Sequence, residues 1–183
     1  MERPRSGDIS RGRPLKLDLH THCLEAVGFA QADEDVVSRI VSAIKARGLD
    51  GIAITDHHKV AFAYKVKEIC ERLFGDEIVI IPGQEIDDYP AEVVELYLRP
   101  GVTFRFLAHP GYPGGWQGKI DRVNGIEVAN ACHDWHIDKS TVRCVAKHRR
   151  LLRLSNSDAH YLEDIGKHYN VLSLEMLETL ADP

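Results

Sequence analysis

The sequence predicts an α/β fold, a small distorted barrel in a single domain, and three observations carry that expectation. Apolar runs with strand patterning alternate with segments of helical period, which favours strand–helix–strand units and a parallel sheet. About seven strands occur without a glycine-rich nucleotide loop, which favours a barrel over an open dinucleotide-binding sheet. The 183 residues fit one domain, yet fall short of the roughly 200 or more that a complete eight-fold barrel uses.

Residues 1–14, with Arg3, Arg5, Arg11 and Arg13 among Gly, Ser and Pro, read as a flexible tail rather than an RNA-binding arm, ahead of a domain over 15–183. Leu15 to His20 alternates apolar and polar residues as a strand does. Leu15, Leu17 and Leu19 face one way, and Lys16, Asp18, His20 and His22 the other. Val36, Val37, Ile40, Val41 and Ile44 then recur at helical spacing, with Asp33 as N-cap and Gly48 as stop. Gly51 to Thr55 reads as a buried strand, Val60 to Phe74 as a helix closed by Gly75, and Ile78 to Ile81 as a third strand before Pro82-Gly83. Further strands are expected over Val93–Leu98, Thr103–Ala108, Gly125–Ala129 and Leu151–Ser155, with a helix around Ile137–His148. Val171–Leu180 reads as a strand end running into a short helix.

Composition narrows the function classes. With 44% hydrophobic and 28% charged residues the chain is an ordinary globular protein. A net charge of -5 argues against a broadly basic nucleic-acid surface, so no stable nucleic-acid complex is expected. Cys23, Cys70, Cys132 and Cys144 include no C-x-x-C pair, which removes zinc-ribbon and thioredoxin-like motifs. No apolar run approaches the roughly 18 residues of a membrane span, and the expectation is a cytoplasmic protein with reduced thiols.

The histidines carry the chemical signal. His20, His22, His57, His58, His109 and His160 all fall within a few residues of the C-terminal end of an expected strand, the edge where parallel α/β folds build their sites. His20-Thr21-His22 puts two imidazoles on one face of an extended segment, where both can bind one ion, and Asp158-Ala159-His160 repeats the geometry. Asp56-His57-His58 follows the second strand, Glu85 the third, and His109 the run Phe106-Leu107-Ala108. Imidazoles and carboxylates without an obvious thiolate suit zinc, manganese or iron and do not choose among them. Cys23 is read as a packed small residue.

At this point the pattern resembles the polymerase and histidinol phosphatase (PHP) family. The matching segments are Asp18-Leu-His-Thr-His22, Gly48-Leu-Asp-Gly-Ile-Ala-Ile-Thr-Asp-His57, Ile81-Pro-Gly-Gln-Glu85, Leu107-Ala-His-Pro110, Gly125-Ile-Glu-Val128 and Ser157-Asp-Ala-His160, in family order. The resemblance implies a distorted (β/α)7 TIM-like barrel, two or three divalent metal ions (Mn, Zn or Fe) and phosphoester hydrolysis. It further implies that His20, His22, Glu85 and Asp158 hold a first ion, with Glu85 bridging to another, that His57 and His160 serve a second, and that His109 serves a third. Two positions depart from the family pattern. Glu25 is the nearest candidate where relatives place Asp or His after the H-x-H pair. Glu92 stands where many relatives have His, either as a carboxylate ligand or as a solvated charge.

The expected reaction is hydrolysis of a phosphate ester of a small metabolite or nucleotide, with an oligonucleotide as a further candidate substrate, by water activated between two ions roughly 3.5–4 Å apart and no Ser or Cys nucleophile. Asp56, His58 and His133 are the candidate proton donors by position. Lys59, Arg143 and Lys167 are either phosphate anchors or surface charges, and Trp116 either stacks on a base or packs its own loop. The alternatives are a barrel that binds metal in a structural or regulatory role, and metal-dependent amide hydrolysis, for which no lysine is clearly placed as a bridging ligand.

Overall fold

The structure is a computed structural model and describes residues 12–181. Most of the expected N-terminal tail lies outside the described residues. The elements are β1 (Leu15–Asp18), α1 (Cys23–Ala26), α2 (Glu34–Ala46), β2 (Gly51–Ile54), α3 (Val60–Phe74), β3 (Val79–Asp88), β4 (Ala91–Arg99), β5 (Val102–Leu107), β6 (Gly125–Asn130), α4 (Lys139–Arg149), β7 (Leu152–Asn156), β8 (Asn170–Leu172) and α5 (Leu174–Leu180). The helix boundaries follow from local chemistry. Asp33 caps α2 by accepting from Val36 N–H, Asp138 caps α4 by accepting from Ser140 and Thr141, and Ser173 caps α5 through Met176. Gly48 and Gly75 stop α2 and α3 at positive φ, which glycine adopts without a Cβ clash.

The expected barrel is present, but its sheet is mixed and has eight strands in the order β7-β6-β5-β4-β3-β2-β1-β8. β1, β2 and β3 are parallel, as are β5, β6 and β7. Between these sets, β3, β4 and β5 form an antiparallel meander, and β8 pairs antiparallel with β1. The parallel sheet expected from the strand–helix alternation holds for β1–β3 and β5–β7 but not between them: only Tyr89 and Pro90 separate β3 from β4, and a two-residue connection can join only antiparallel strands.

Alternating side chains split the core. Leu15, Leu17, Leu19, Ala53, Ile81, Val94, Leu96, Phe104, Phe106 and Leu154 pack together as the interior, with Leu177 of α5 among them. Outside, α2 and α3 cover Ile52, Ile54 and Ile80, while α4 covers Leu107, Ile126 and Val128. The barrel nearly closes between β7 and β8. There the Asn170 amide accepts from Ser155 N–H (2.9 Å) and donates to Ser155 O (3.1 Å) and Asn156 Oδ1 (2.8 Å), so a side chain substitutes for part of a strand ladder.

Candidate metal centre

The site is assembled where the barrel closes at its upper end. Beyond Asp18 the chain stays extended, and Thr21 bridges Ala159 in parallel. Asp158 N–H donates to His20 O at 2.9 Å and His22 N–H to Ala159 O at 2.8 Å. The Thr21 hydroxyl donates to Ala53 O on β2 at 2.7 Å, which turns His20 and His22 together to the opposite side. Two alternations far apart in sequence, His20-Thr21-His22 and Asp158-Ala159-His160, thereby lie side by side. Asp158 and His109 both have positive φ (55° and 23°), and so does His58 (52°). Such backbone costs of order 1–3 kcal/mol per residue and persists where the surroundings over-determine it.

His20 Nε2 and His22 Nε2 are 3.2 Å apart. Glu85 Oε2 is 3.3 Å from each, and Asp158 Oδ1 is 3.4 Å from His20 and 3.1 Å from His22. Two Nε2 atoms carry at most two protons, too few to hydrogen-bond all five contacts. A cation at their centre satisfies them together. Donors about 2.0–2.2 Å from one ion stand roughly 3.3–3.6 Å apart if it is tetrahedral and about 2.8–3.1 Å apart if octahedral, and the observed spacings span these ranges. His22 Nδ1 and Asp158 Oδ1 are buried without a hydrogen-bond partner. The residues present therefore fit a metal ion.

Glu85 uses both oxygens. Oε2 faces His20, His22 and, at 3.5 Å, His57 Nε2, while Oε1 lies 3.1 Å from His109 Nε2. His109 Nε2 is in turn 3.6 Å from Glu92 Oε2 and 3.8 Å from Asp158 Oδ2. On the other side, the His22 ring stacks on His160 at 4.2 Å, and His160 Nε2 is 3.9 Å from Glu25 Oε2. The donor groups that result include His20, His22 and Glu85; His20, His109 and Asp158; His22, Glu25, His57 and His160; and Glu85, Glu92 and His109. All nine residues expected as metal ligands are brought together, including Glu25 and Glu92.

Behind the donors lies a layer that motif reading did not assign. Glu127 of β6 is fully buried and accepts four hydrogen bonds: from His20 Nδ1 (3.0 Å) and Asn156 Nδ2 (2.8 Å) on Oε1, and from His109 N–H (2.7 Å) and Asn130 Nδ2 (2.8 Å) on Oε2. A carboxylate on Nδ1 leaves the Nε2 lone pair of His20 free for an ion and orients the ring. Asn130 Nδ2 also donates to Asp158 Oδ2 at 3.2 Å. Glu127 stood within the quoted Gly125-Ile-Glu-Val128 segment, but nothing local marks it as buried.

The electrostatics show how strongly the cluster demands positive charge. Burial opposes the charged form of His20, yet Asp158, Glu85 and Glu127 outweigh it and hold its pKa well above the usual imidazole range. His22, also opposed by burial, is raised to about 9 by its bonds to Asp158 and Glu85. Burial would raise Glu85 and Asp158, but the imidazoles, His20 foremost, hold both well below the ordinary carboxylate range. Glu92 moves the other way, raised by burial and by Glu85, as expected for a carboxylate that faces another.

The three expected proton donors fare differently. Asp56 is buried, and its Oδ1 accepts from Leu24 N–H at 2.9 Å and Glu25 N–H at 3.4 Å. It anchors the start of α1, which carries Glu25, and is not presented to a substrate. His58 turns outward to exposed Asp87 at 3.3 Å. His133 does enter the centre, with Nε2 3.8 Å from Asp158 Oδ2, and joins Cys132 and Asp158 as a further donor group. Neither Lys59 nor Arg143, both exposed, bonds to the cluster, and Lys167 pairs with Asp164 at 2.6 Å. Trp116 is buried in the core cluster that includes Ala91, Val93, Leu107 and Val123, and Cys23 is fully buried with its thiol 3.3 Å from Thr21 Oγ1.

Fold and site together define a mixed α/β barrel with a buried histidine–carboxylate cluster at one rim. Residues 137–182 match the family model described as PHP-associated. Solved structures share the fold. PsfC from Pseudomonas syringae superposes with a TM-score of 0.63 at 18% identity, covering 91% of this chain and 88% of that one. A candidate metal-dependent phosphoesterase from Bifidobacterium adolescentis gives 0.68 at 12% identity, covering 91% and 96%. An amidohydrolase from Chromobacterium violaceum, with bound sulfate and no metal, gives 0.58 at 16%, covering 91% and 97%. No match was found among curated proteins. Among the described residues, no helix is long and apolar enough to cross a membrane.

Proposed function

We propose that the chain is a metal-dependent phosphoesterase that hydrolyses a phosphate ester of a small metabolite or nucleotide, acting in the cytoplasm with two or three divalent ions (Mn, Zn or Fe). The observation that carries this reading is the convergence of two carboxylates on the His20–His22 pair, whose Nε2 atoms are 3.2 Å apart and each lie 3.1–3.4 Å from Glu85 Oε2 and Asp158 Oδ1, contacts that two protons cannot all satisfy. When bound, the ions acidify water for attack on phosphorus and neutralise charge on the phosphoryl oxygens. The protein's own part is to hold the donors in place. Glu127 fixes the His20 ring and the backbone of His109, Asn130 steadies Asp158, and Glu85 joins neighbouring donor groups through its two oxygens. No side-chain cation bonds to the cluster among the described residues, so phosphate charge falls to the ions. His133, Glu25 and Glu92 are only half-buried.

The test is reconstitution with manganese, zinc or iron, elemental analysis, and a phosphate-release screen over monoesters and diesters. Two or three ions per chain with turnover of at least one ester are expected. Folded, loaded protein that releases phosphate from none of them defeats the reading, and one ion or none without turnover fits a metal-binding barrel in a structural role.

A further inference from the structure

One wall of the site is made of rings. His133 Nε2 lies 3.8 Å from Asp158 Oδ2, and its ring sits 4.7 Å from His109. Tyr112 stacks on His133 at 4.4 Å with planes 17° apart. Trp135 continues the series outward, 5.9 Å from His133 and 5.3 Å from His136, which in turn packs 5.0 Å from Tyr112. The series thus runs from a buried donor to a tryptophan that is 75% exposed.

The wall is built to stay in place. Asn130 Oδ1 accepts from Cys132 N–H (2.9 Å) and His133 N–H (2.8 Å) while its Nδ2 reaches Glu127 and Asp158, so one amide ties the loop to the donors. Asp134 is paired with Lys139 at 2.5 Å. At Gly111 a Cβ would lie 2.3 Å from His136 O, so the Tyr112 loop and the Trp135 loop pack with no room for a side chain between them. The indole stands against His133 and His136 with most of its surface left in water. A planar ring gains most from such a face, because stacking tolerates different ring chemistries and loses little side-chain entropy.

We propose that Trp135, backed by Tyr112, His133 and His136, stacks on a planar ring in the alcohol portion of the substrate while the phosphate occupies the metal centre. The substrate class is then the phosphate ester of a ring-bearing alcohol, such as a nucleoside. This rests on the hydrolase reading for the phosphate's position, but the wall has its own readout. The chain holds two tryptophans, and since Trp116 is buried, quenching by a ring-bearing ligand reports on Trp135.

The experiment compares a purine nucleoside 5′-monophosphate with ribose 5-phosphate, using metal-loaded protein and the variants Trp135→Ala and Trp135→Phe. The nucleotide should quench wild-type fluorescence where ribose 5-phosphate does not, and Trp135→Phe should abolish the quench. KM for the nucleotide should lie about tenfold or more below that for ribose 5-phosphate, a gap that narrows to about twofold in Trp135→Ala and is largely kept in Trp135→Phe. Turnover of both esters with equal KM and no quench would overturn the wall and leave the hydrolase reading standing. Quench that depends on Trp135, without turnover of either ester, would support the wall and count against the hydrolase reading.

Discussion

Replacing Glu127 by Gln changes one atom in a group that makes four hydrogen bonds, and the consequence can be worked out from the donors around it. His20 Nδ1 and Asn156 Nδ2 point at one oxygen, and His109 N–H and Asn130 Nδ2 at the other. If the new NH2 faces His109 N–H and Asn130 Nδ2, two buried hydrogen bonds are lost; if it faces Asn156 Nδ2 and His20, the imidazole can change tautomer to accept from it, and only one is lost. At about 1–3 kcal/mol for each unsatisfied buried donor, the cost is roughly 1–6 kcal/mol. In a chain of this size that corresponds to a fall in Tm on the order of 3–20 °C. The metal centre suffers separately, because His20 loses the carboxylate that fixes its tautomer. Changes behind ligands of this kind typically weaken metal affinity by about 10–100-fold. Thermal melts of metal-free protein would read the first effect, and chelator competition the second. Glu127→Gln that melts like wild type and holds its metal as tightly would refute the role assigned to this residue.

Three further outcomes follow from the geometry. In metal-free protein, His22 has a folded pKa near 9 against an ordinary 6.5, so its contribution of about 3 kcal/mol is fully present below pH 6.5 and lost as pH rises through 9. The lowered pKa values of Glu85 and Asp158 contribute stability above their ordinary values that is lost on acidification. Metal-free protein should therefore melt lower at pH 9 than at pH 6, and added metal, which requires neutral imidazole, should remove that loss; a flat or rising profile without metal contradicts the assignment. Asn170→Ala should cost about 2–4 kcal/mol by opening the seam at Ser155, seen as a lower Tm with metal stoichiometry retained. Glu92→Ala should lower the number of ions bound by one while the His20–His22 group keeps its own, and unchanged stoichiometry would make Glu92 a solvated charge after all.

Much of the fold was legible because local signals agreed with one another. In α2 the spacing from Val36 to Ile44, the Asp33 cap and the Gly48 stop all pointed to one helix, and α3 ended at Gly75 as its pattern required. The direction of the strands in the meander was not read. Val93–Leu98 and Thr103–Ala108 look alike whether parallel or antiparallel, and the informative signal lay in the connections. Two residues between β3 and β4, and two between β4 and β5, leave no space for a crossover helix. The donors were legible because two histidines or a histidine and an aspartate at i and i+2 after a strand share a face. Glu127 was not, since a carboxylate within a strand is recognisable as buried and paired only when His20, 107 residues away, is seen beside it. Asp56 misled for the converse reason: it follows β2 at the right rim, but its acceptor oxygen is taken by the backbone of α1.

The meander also explains Glu92. In a parallel barrel, residues at the functional rim come from the C-terminal ends of strands, and a residue at the start of a strand would lie at the far end. Because β4 runs antiparallel to both neighbours, its beginning sits beside the end of β3 and the end of β5. Glu92 pairs with Asp87 in the sheet register, Val93 with Leu107, and Ala108 N–H donates to Glu92 O at 3.1 Å, immediately before His109. The reversed strand thus delivers a carboxylate to the same rim as Glu85 and His109, with Glu92 Oε2 3.6 Å from His109 Nε2. The feature that departs from a regular barrel is what gives this donor group its second carboxylate, and a longer β3–β4 connection that relaxed this register would move Glu92 away from His109 while leaving His20, His22 and Asp158 aligned across the opposite seam.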